Sequence, residues 1–178
     1  MIVSLSENQL NQVQDFVNNL SGNKNKDNFY VGACGEIAVN NYGIASNVYK
    51  NLYGYILSDS ILKKTNKADN GCDLILQSTK NPYIKITAQV KTIRKDTNGK
   101  NLLLSKKLYD PSLNYYNNIP QDVFILVKQL SNSTYDILGY ITHDNAVKHY
   151  IEDKPVKDCY NINIQYLTPF EEFKHLFV

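Results

Sequence analysis

Apolar residues recur along the chain first with a helical period and then with the period of strands. Over residues 5–20 they fall on one face of an amphipathic helix, and Ser4 to Glu7 predict the capping box that opens it. A second helix is predicted from Phe29 to Asn41, and it stops before Gly43. Short runs rich in β-branched and apolar residues then predict strands, at Leu52–Leu57, Cys72–Leu76, Tyr83–Thr92, Asp122–Val127 and Tyr135–Ile141.

The remaining segments complete a mixed pattern. We expect a partly helical connection between Leu108 and Ile119, and a helix from Thr142 to Tyr150. A strand is predicted from Asn161 to Leu167, followed by a last helix that Thr168 and Pro169 open. Helices and strands in this order predict an α/β sandwich around a mixed β-sheet, and a length of 178 residues favours a single domain.

The composition and the cysteines narrow the class of protein. Hydrophobic residues make up 43% and charged residues 20% of the chain, which is typical of a soluble globular protein. No apolar run reaches the roughly 18 residues of a membrane-spanning helix, and the first residues do not resemble a signal peptide. Three scattered cysteines form no CxxC pair, which favours neither a disulfide framework nor a zinc knuckle. We therefore expect a cytoplasmic protein, of a prokaryotic or viral host cytoplasm, with no membrane partner.

Positive charge is concentrated in the middle of the chain. The net charge is +2, but residues 80–107 hold seven Lys and Arg94 against the single acid Asp96. A Lys-rich composition alone would spread these charges evenly. A local surplus is typical of a surface that follows a phosphate backbone, and lysine favours backbone contacts over the bidentate reading of bases. The candidate DNA contacts are Lys85, Arg94, Lys95, Lys100, Lys106 and Lys107.

Candidate chemistry lies on the two predicted strands that flank a turn at Asn81 and Pro82. Asp73 stands at the start of the first strand, and Gln89 and Lys91 project from one face of the second. If the strands form a hairpin, a carboxylate, an amide oxygen and an ammonium group meet at one end of the sheet. Oxygen ligands suit Mg²⁺, and a lysine beside the ion can orient or deprotonate a water for attack on phosphorus.

Four residues in this order resemble the catalytic set of the PD-(D/E)xK nuclease superfamily: Glu36, Asp73, Gln89 and Lys91. That superfamily includes restriction endonucleases, archaeal Holliday junction resolvases, Mrr-type enzymes and some homing endonucleases. By this resemblance Asp73 matches the metal-bridging aspartate, and Gln89 and Lys91 match the (D/E)xK pair. Glu36, in the segment Gly-Ala-Cys-Gly-Glu over residues 32–36, is similar to a glutamate on the helix that faces the site. The chain departs from the pattern because Gln89 replaces an acid and no proline precedes Asp73.

The resemblance implies a restriction-endonuclease-like fold, which is an α/β/α sandwich with a central mixed β-sheet. It covers roughly residues 29–141, the catalytic core of a single nuclease domain over residues 1–178. The N-terminal helix at 5–20 and the C-terminal residues 142–178 are then expected to be extensions of that core.

The resemblance also implies a cofactor and partners. Mg²⁺, with Mn²⁺ as a substitute, would be held by Asp73, Gln89, the carbonyl of Val90 and Glu36. Lys91 would position the nucleophile. The substrate would be DNA, and cutting both strands requires two active sites, which favours a homodimer or a higher symmetric oligomer.

Three interpretations stay open at this point. The first is a Mg²⁺-dependent endonuclease for restriction, homing or similar site-specific cleavage. The second is a resolvase selective for Holliday junctions or other DNA structures, and the third is a non-catalytic DNA-binding relative in which Gln89 marks a decayed site. Each residue also has a structural alternative: Asp73 as a turn cap, Lys91 as a solvated strand lysine and Glu36 as an exposed helical acid.

Overall fold

The computed structural model describes residues 1–19, 25–52, 73–113, 115–116 and 119–178. Its helices there are α1 (Glu7–Asn18), α2 (Lys26–Ser46) and α3 (His143–His149). The strands of the first half are β1 (Ile2–Ser4), β2 (Tyr49–Asn51), β3 (Leu74–Ser78), β4 (Lys85–Ile93) and β5 (Asn101–Ser105). The later strands are β6 (Tyr109–Asp110), β7 (Tyr115–Tyr116), β8 (Ile119–Pro120), β9 (Val123–Gln129), β10 (Thr134–Thr142), β11 (Ile151–Glu152) and β12 (Cys159–Asn163). Two 3-10 helices follow, Ile164–Tyr166 and Phe170–Phe177.

Six strands form a mixed central sheet in the order β1-β10-β9-β4-β3-β2. Strands β4 and β9 run parallel, and the other neighbouring pairs are antiparallel. A parallel pair needs a long crossover connection, which here carries β5 to β8. The central mixed sheet with its helices confirms the predicted α/β class.

The helical layer of the molecule covers one face of the central sheet. Helices α1 and α2 and the last 3-10 helix pack there against Ala88 and Val90 of β4, in the larger of two hydrophobic cores. Phe170, Phe173 and Phe177 are buried in this core. The C-terminal segment, which the sequence predicts as an extension, therefore helps to build the core.

Helix α2 is longer than the sequence predicts because asparagines bound it at both ends. The side chain of Asn25 accepts the amide of Asn28 at 3.2 Å, and Asn47 ends the helix in the left-handed conformation with a φ of 53°. Gly43 does not end the helix but lets it approach β2, since a Cβ there would lie 2.2 Å from the ring of Tyr49. In the part of the chain that the structure describes, no helix combines the length and hydrophobicity needed to span a membrane.

A second layer covers the opposite face of the central sheet. It contains the three-stranded sheet β11-β12-β5 and the seven-residue helix α3. Leu104, Ile162 and Ala146 of this layer pack on Phe124 and Leu126 of β9 in the smaller hydrophobic core. Where the resemblance implies a helical layer, the described residues thus form a small sheet with one short helix.

The first helix begins later than the predicted capping box. Ser6 is the cap: its Oγ accepts the amide of Gln9 at 3.3 Å, and Oε1 of Gln9 accepts the amide of Ser6 at 3.0 Å. Ser4 instead belongs to β1, which pairs with β10. Pairing at the edge of the sheet holds the first residues extended and moves the start of the helix to Glu7.

The remaining differences lie in segments with a weak hydrophobic period. The predicted partly helical connection at 108–119 is wrong, since its described residues form β6, β7 and β8. The predicted strand Leu52–Leu57 lies outside the described residues except for Leu52, as does Cys72 in the strand predicted at Cys72–Leu76. The strand predicted at Asn161–Leu167 ends at Asn163 and passes into a 3-10 helix. The last predicted helix is also of the 3-10 type.

Candidate active site

The carboxylate of Asp73 lies at the start of β3 and is held by β4. Asp73 and Gln89 are 5% and 4% exposed. Oδ2 of Asp73 accepts hydrogen bonds from Nε2 of Gln89 and, at 2.7 Å, from the backbone N–H of Val90. The register explains this contact: Leu74 pairs with Ala88, so the residue before Leu74 falls opposite Gln89. The structure therefore brings Asp73, Gln89 and Val90 together.

Asp73 directly precedes β3, which begins at Leu74, and its side chain takes the place of a strand partner for Val90 of β4. A longer β3 would pair the Val90 amide with a backbone carbonyl, and here the side chain of Asp73 accepts it instead. The N–H and C=O groups of one strand residue point to the same side, so the carbonyl of Val90 opens towards Asp73 as well. Asp73 thus accepts the amide of a neighbouring strand, which differs from the turn cap considered for it, and this contact brings three oxygen-bearing groups together.

Lys91 lies on the same face of β4 as Gln89. That face belongs to the second layer, because Phe124 is in register with Gln89 and the ring of Tyr109 packs edge-on against Phe124 at 5.1 Å. Lys91 pairs in register with the buried Leu126 and is itself half-buried. A half-buried lysine packs its aliphatic stem and can still present its ammonium group to solvent or to a phosphate.

Glu36 is buried on α2, with 6% exposure, and is therefore not an exposed helical acid. The preceding residue, Gly35, lies against β4, since a Cβ there would be 2.0 Å from Oγ1 of Thr92. Helix α2 packs on the side of β4 that carries Val90, whereas Gln89 faces the other side. Glu36 thus lies on the face of the central sheet opposite to Gln89. Its side chain could reach the site only past the edge of β4.

The described residues provide oxygen donors for a metal but few charges. Among them, no group of three His, Cys, Asp or Glu side chains is placed to hold an ion. The donors at the site are the Asp73 carboxylate, the Val90 carbonyl and Oε1 of Gln89, which is buried without a hydrogen-bond partner in the described part of the chain. One carboxylate with two neutral oxygens fits Mg²⁺ or Mn²⁺, which retain waters or substrate phosphates as further ligands.

Two of the six predicted DNA contacts are paired with carboxylates. Nζ of Lys106 lies 2.7 Å from Asp153 and 2.7 Å from Glu152, and these hydrogen bonds raise the pKa of Lys106. Arg94 pairs with Asp96 at 3.1 Å, and this contact lowers the pKa of Asp96. Because nearby carboxylates offset their charge, we expect Lys106 and Arg94 to attract phosphate less than an unpaired lysine does.

The other four predicted contacts form no ion pair with a described residue. Lys85, Lys95, Lys100 and Lys107 are all exposed. The ammonium of Lys95 donates to the neutral Oδ1 of Asn132 at 2.6 Å, which orients the side chain, and Lys95 interacts with the Asp96 carboxylate only through space, without an ion pair. These lysines are therefore the stronger candidates for contacts with a DNA backbone.

Changing Lys95, Lys100 and Lys107 together to Gln is expected to weaken DNA binding and its dependence on salt. Each phosphate contact contributes about 0.9 to the slope of log affinity against log salt, so the slope should fall by about 3. Binding to a short duplex over a salt series, with Ca²⁺ in place of Mg²⁺, measures this slope.

The matched control changes three lysines of the acidic C-terminal third to Gln: Lys154, Lys157 and Lys174. This control variant removes the same formal charge and should leave the slope of log affinity against log salt nearly unchanged. The single change Lys106→Gln should have a smaller effect than Lys100→Gln because Lys106 is already paired. Equal slopes for the two triple variants would show that the central basic segment does not contact DNA.

Comparison of the chain with protein-family models, with curated proteins and with solved structures found no match. The resemblance to the nuclease superfamily therefore stays a prediction. The chemistry of this protein has to be inferred from its own residues.

Two groups of β4 were missed by reasoning from the sequence, one at the site and one on the opposite face of the strand. One is the backbone N–H of Val90, which a count of the hairpin register from the turn at Asn81 and Pro82 would have placed beside Asp73. The other is Thr92, whose side chain faces Gly35. A glycine inside a helix signals such a close approach, but it does not name the partner.

Proposed function

We propose that this protein is a Mg²⁺-dependent DNA endonuclease that hydrolyses phosphodiester bonds. The observation that carries the proposal is the buried group of Asp73, Gln89 and Val90 at the start of β3, with Lys91 on the same face of the sheet. Such a group suits a reaction that depends mainly on positioning and on the neutralisation of charge. The exposed lysines of the neighbouring basic segment supply the means to bind a phosphate backbone.

Each residue of the site has a role in this proposal. Asp73, Oε1 of Gln89 and the carbonyl of Val90 would hold the ion, whose contribution when bound is neutralisation of charge on the scissile phosphate. The ammonium group of Lys91 donates hydrogen bonds that position the attacking water and stabilise the charge that develops on the phosphate. Glu36 would hold a bound water or a second cation at the edge of β4.

The proposal extends to the fold and to the assembly. The mixed sheet, with the site at the start of β3, supports a restriction-endonuclease-like arrangement with a divergent second layer. Cleavage of both strands of a duplex needs two copies of the site, so the active form is proposed to be a homodimer or a higher symmetric oligomer.

Incubation with supercoiled plasmid, linear duplex and a synthetic four-way junction tests this function. The plasmid should be nicked or linearised with Mg²⁺ or Mn²⁺, and it should stay intact with EDTA because the ion is required for hydrolysis. Cleavage of the junction alone would favour a structure-selective resolvase. Intact substrates under all these conditions would contradict the proposed endonuclease activity.

A second candidate is a non-catalytic DNA-binding relative. It is favoured by the hydrogen bond from Gln89 to Asp73 and by the burial of both side chains, since together they satisfy the carboxylate without a cation. This candidate predicts binding to duplex DNA with the salt dependence given above, and no cleavage with any divalent ion.

A further inference from the structure

Gln89 presents its nitrogen to the carboxylate of Asp73 and leaves its oxygen without a hydrogen-bond partner. Nε2 donates to Oδ2 of Asp73, whereas Oε1 is buried and pairs with no described residue. A buried polar atom without a partner costs free energy, and such atoms mark sites where a water, an ion or a rearrangement completes the structure. The amide of Gln89 is therefore satisfied on one side only.

The two ends of this amide suit two states of the site. Rotation of the amide by half a turn exchanges Nε2 and Oε1. The present orientation directs a donor at the negative carboxylate, which is a charge-assisted hydrogen bond. The reversed orientation would place an oxygen against the carboxylate, and this contact is repulsive unless a cation lies between the two groups.

We propose that Gln89 is a reversible latch on this site: its amide nitrogen closes Asp73 in the metal-free protein, and its amide oxygen turns to the ion when a divalent cation binds. This inference rests on the proposed cation site and adds how that site is regulated. The latch keeps the buried Asp73 satisfied without metal, and it lowers cation affinity because the hydrogen bond must first break.

The change Gln89→Glu would remove the latch. The new side chain has no donor in place of Nε2 unless it takes up a proton, so the metal-free protein would hold two adjacent buried acids, either repelling each other or sharing a proton taken up at a cost in stability. A divalent cation would relieve this contact. Stability without metal is thus the property that the amide provides, and it can be measured apart from any activity.

Gln77 provides a matched control on the neighbouring strand. It is 9% exposed, and its Nε2 donates at 2.7 Å to a backbone carbonyl, that of Pro82. Gln77→Glu also loses a buried donor and gains a charge, but its hydrogen-bond partner is neutral and the residues opposite it are Lys50 and Lys85, so no second acid faces it. A cation should therefore not restore its stability.

The test compares the melting temperatures of the parent, Gln89→Glu and Gln77→Glu in EDTA and in Ca²⁺. We expect Gln89→Glu to melt roughly 5–10 °C below the parent in EDTA and Gln77→Glu to lose less, because Lys50 and Lys85 lie opposite position 77. Ca²⁺ should restore at least half of the loss for Gln89→Glu and little for Gln77→Glu. Equal responses of the two variants to Ca²⁺ would overturn the latch.

A second measurement uses the parent protein, so it does not depend on a variant that folds. The side-chain NH₂ resonances of Gln89, assigned by their loss in Gln89→Leu, should exchange slowly in EDTA and should shift and lose protection on titration with Ca²⁺. The NH₂ resonances of Gln77 should stay unchanged. A Gln89 signal that does not respond to Ca²⁺ would contradict the inference.

Failure of the latch and failure of the proposed function give different results. Cleavage of DNA with Mg²⁺, together with an unresponsive Gln89 amide, would overturn the latch and keep the endonuclease. Rescue of Gln89→Glu by Ca²⁺ and a responsive amide, with no DNA cleaved, would keep the latch and overturn the endonuclease.

Discussion

Replacing Lys91 with Ala is expected to slow DNA cleavage by about 10² to 10³-fold, the usual cost of removing one hydrogen-bond donor that stabilises charge in the transition state. In the proposed mechanism the ammonium group acts on the water and on the phosphate, and this half-buried side chain belongs to neither hydrophobic core cluster. Duplex binding in Ca²⁺ and the melting temperature should therefore stay close to those of the parent. Single-turnover cleavage with Mg²⁺ measures the rate.

Lys128 is the matched control for this change. It lies on β9, on the same face of the central sheet and in register with Ile93, and it is also half-buried. Lys128→Ala removes the same charge and the same stem from the neighbouring strand, and it should leave the cleavage rate within a few-fold of the parent. Parental cleavage by Lys91→Ala would exclude the proposed role of Lys91.

The fold could be predicted where the hydrophobic period was strong. The apolar runs of β9 and β10 and the turn at Asn81 and Pro82 placed most of the central sheet within two residues of its observed strands. The small sheet β6-β7-β8 could not be predicted in this way, because its strands, within residues 109–120, are two residues long and are fixed by pairing with each other. A two-residue strand has no period to detect.

The site was predictable to the extent that it depends on local pairing. Asp73 and Gln89 meet because one hairpin sets their register, which a sequence can indicate. The ion pairs of Lys106 depend instead on β5 pairing with β12, where Ser105 lies opposite Cys159. No local pattern reports a contact between segments so far apart in the chain, so a lysine predicted to meet phosphate is found beside two carboxylates.

The Gly-x-x-Gly-Glu segment of helix α2, which contributes to the resemblance to the nuclease superfamily, also shows how little a local pattern says about contacts. Gly35 has a packing reason, because a side chain there would collide with Thr92, whereas a Cβ at Gly32 would meet nothing within 4 Å. The second glycine of the Gly-x-x-Gly-Glu pattern is therefore explained by helix–sheet contact alone. Only the burial of Glu36 adds an observation that bears on chemistry.

Asp73→Asn is expected to lower the cleavage rate by at least about 10³-fold, which corresponds to about 4 kcal/mol in the barrier. The asparagine oxygen can still accept the Val90 amide, so the edge of β4 should stay capped while the charge that attracts the cation is lost. A neutral acceptor makes a weaker hydrogen bond, which should lower the melting temperature by roughly 2–4 °C. Cleavage assays and thermal melts of the same preparation measure both effects.

Asp122→Asn separates the chemical role of a carboxylate from its capping role. Oδ2 of Asp122 accepts the backbone N–H of Thr87 at 2.7 Å, which matches the 2.7 Å bond from Val90 to Asp73, but Asp122 lies on the opposite edge of β4, beside β9 and not beside β3. Asp122→Asn should lower stability by a similar or smaller amount, because Asp122 is exposed, and it should leave cleavage nearly intact. If the two variants lose cleavage equally, or if neither does, Asp73 is a cap of β4 and not a ligand, and the cation that supports cleavage has to bind elsewhere.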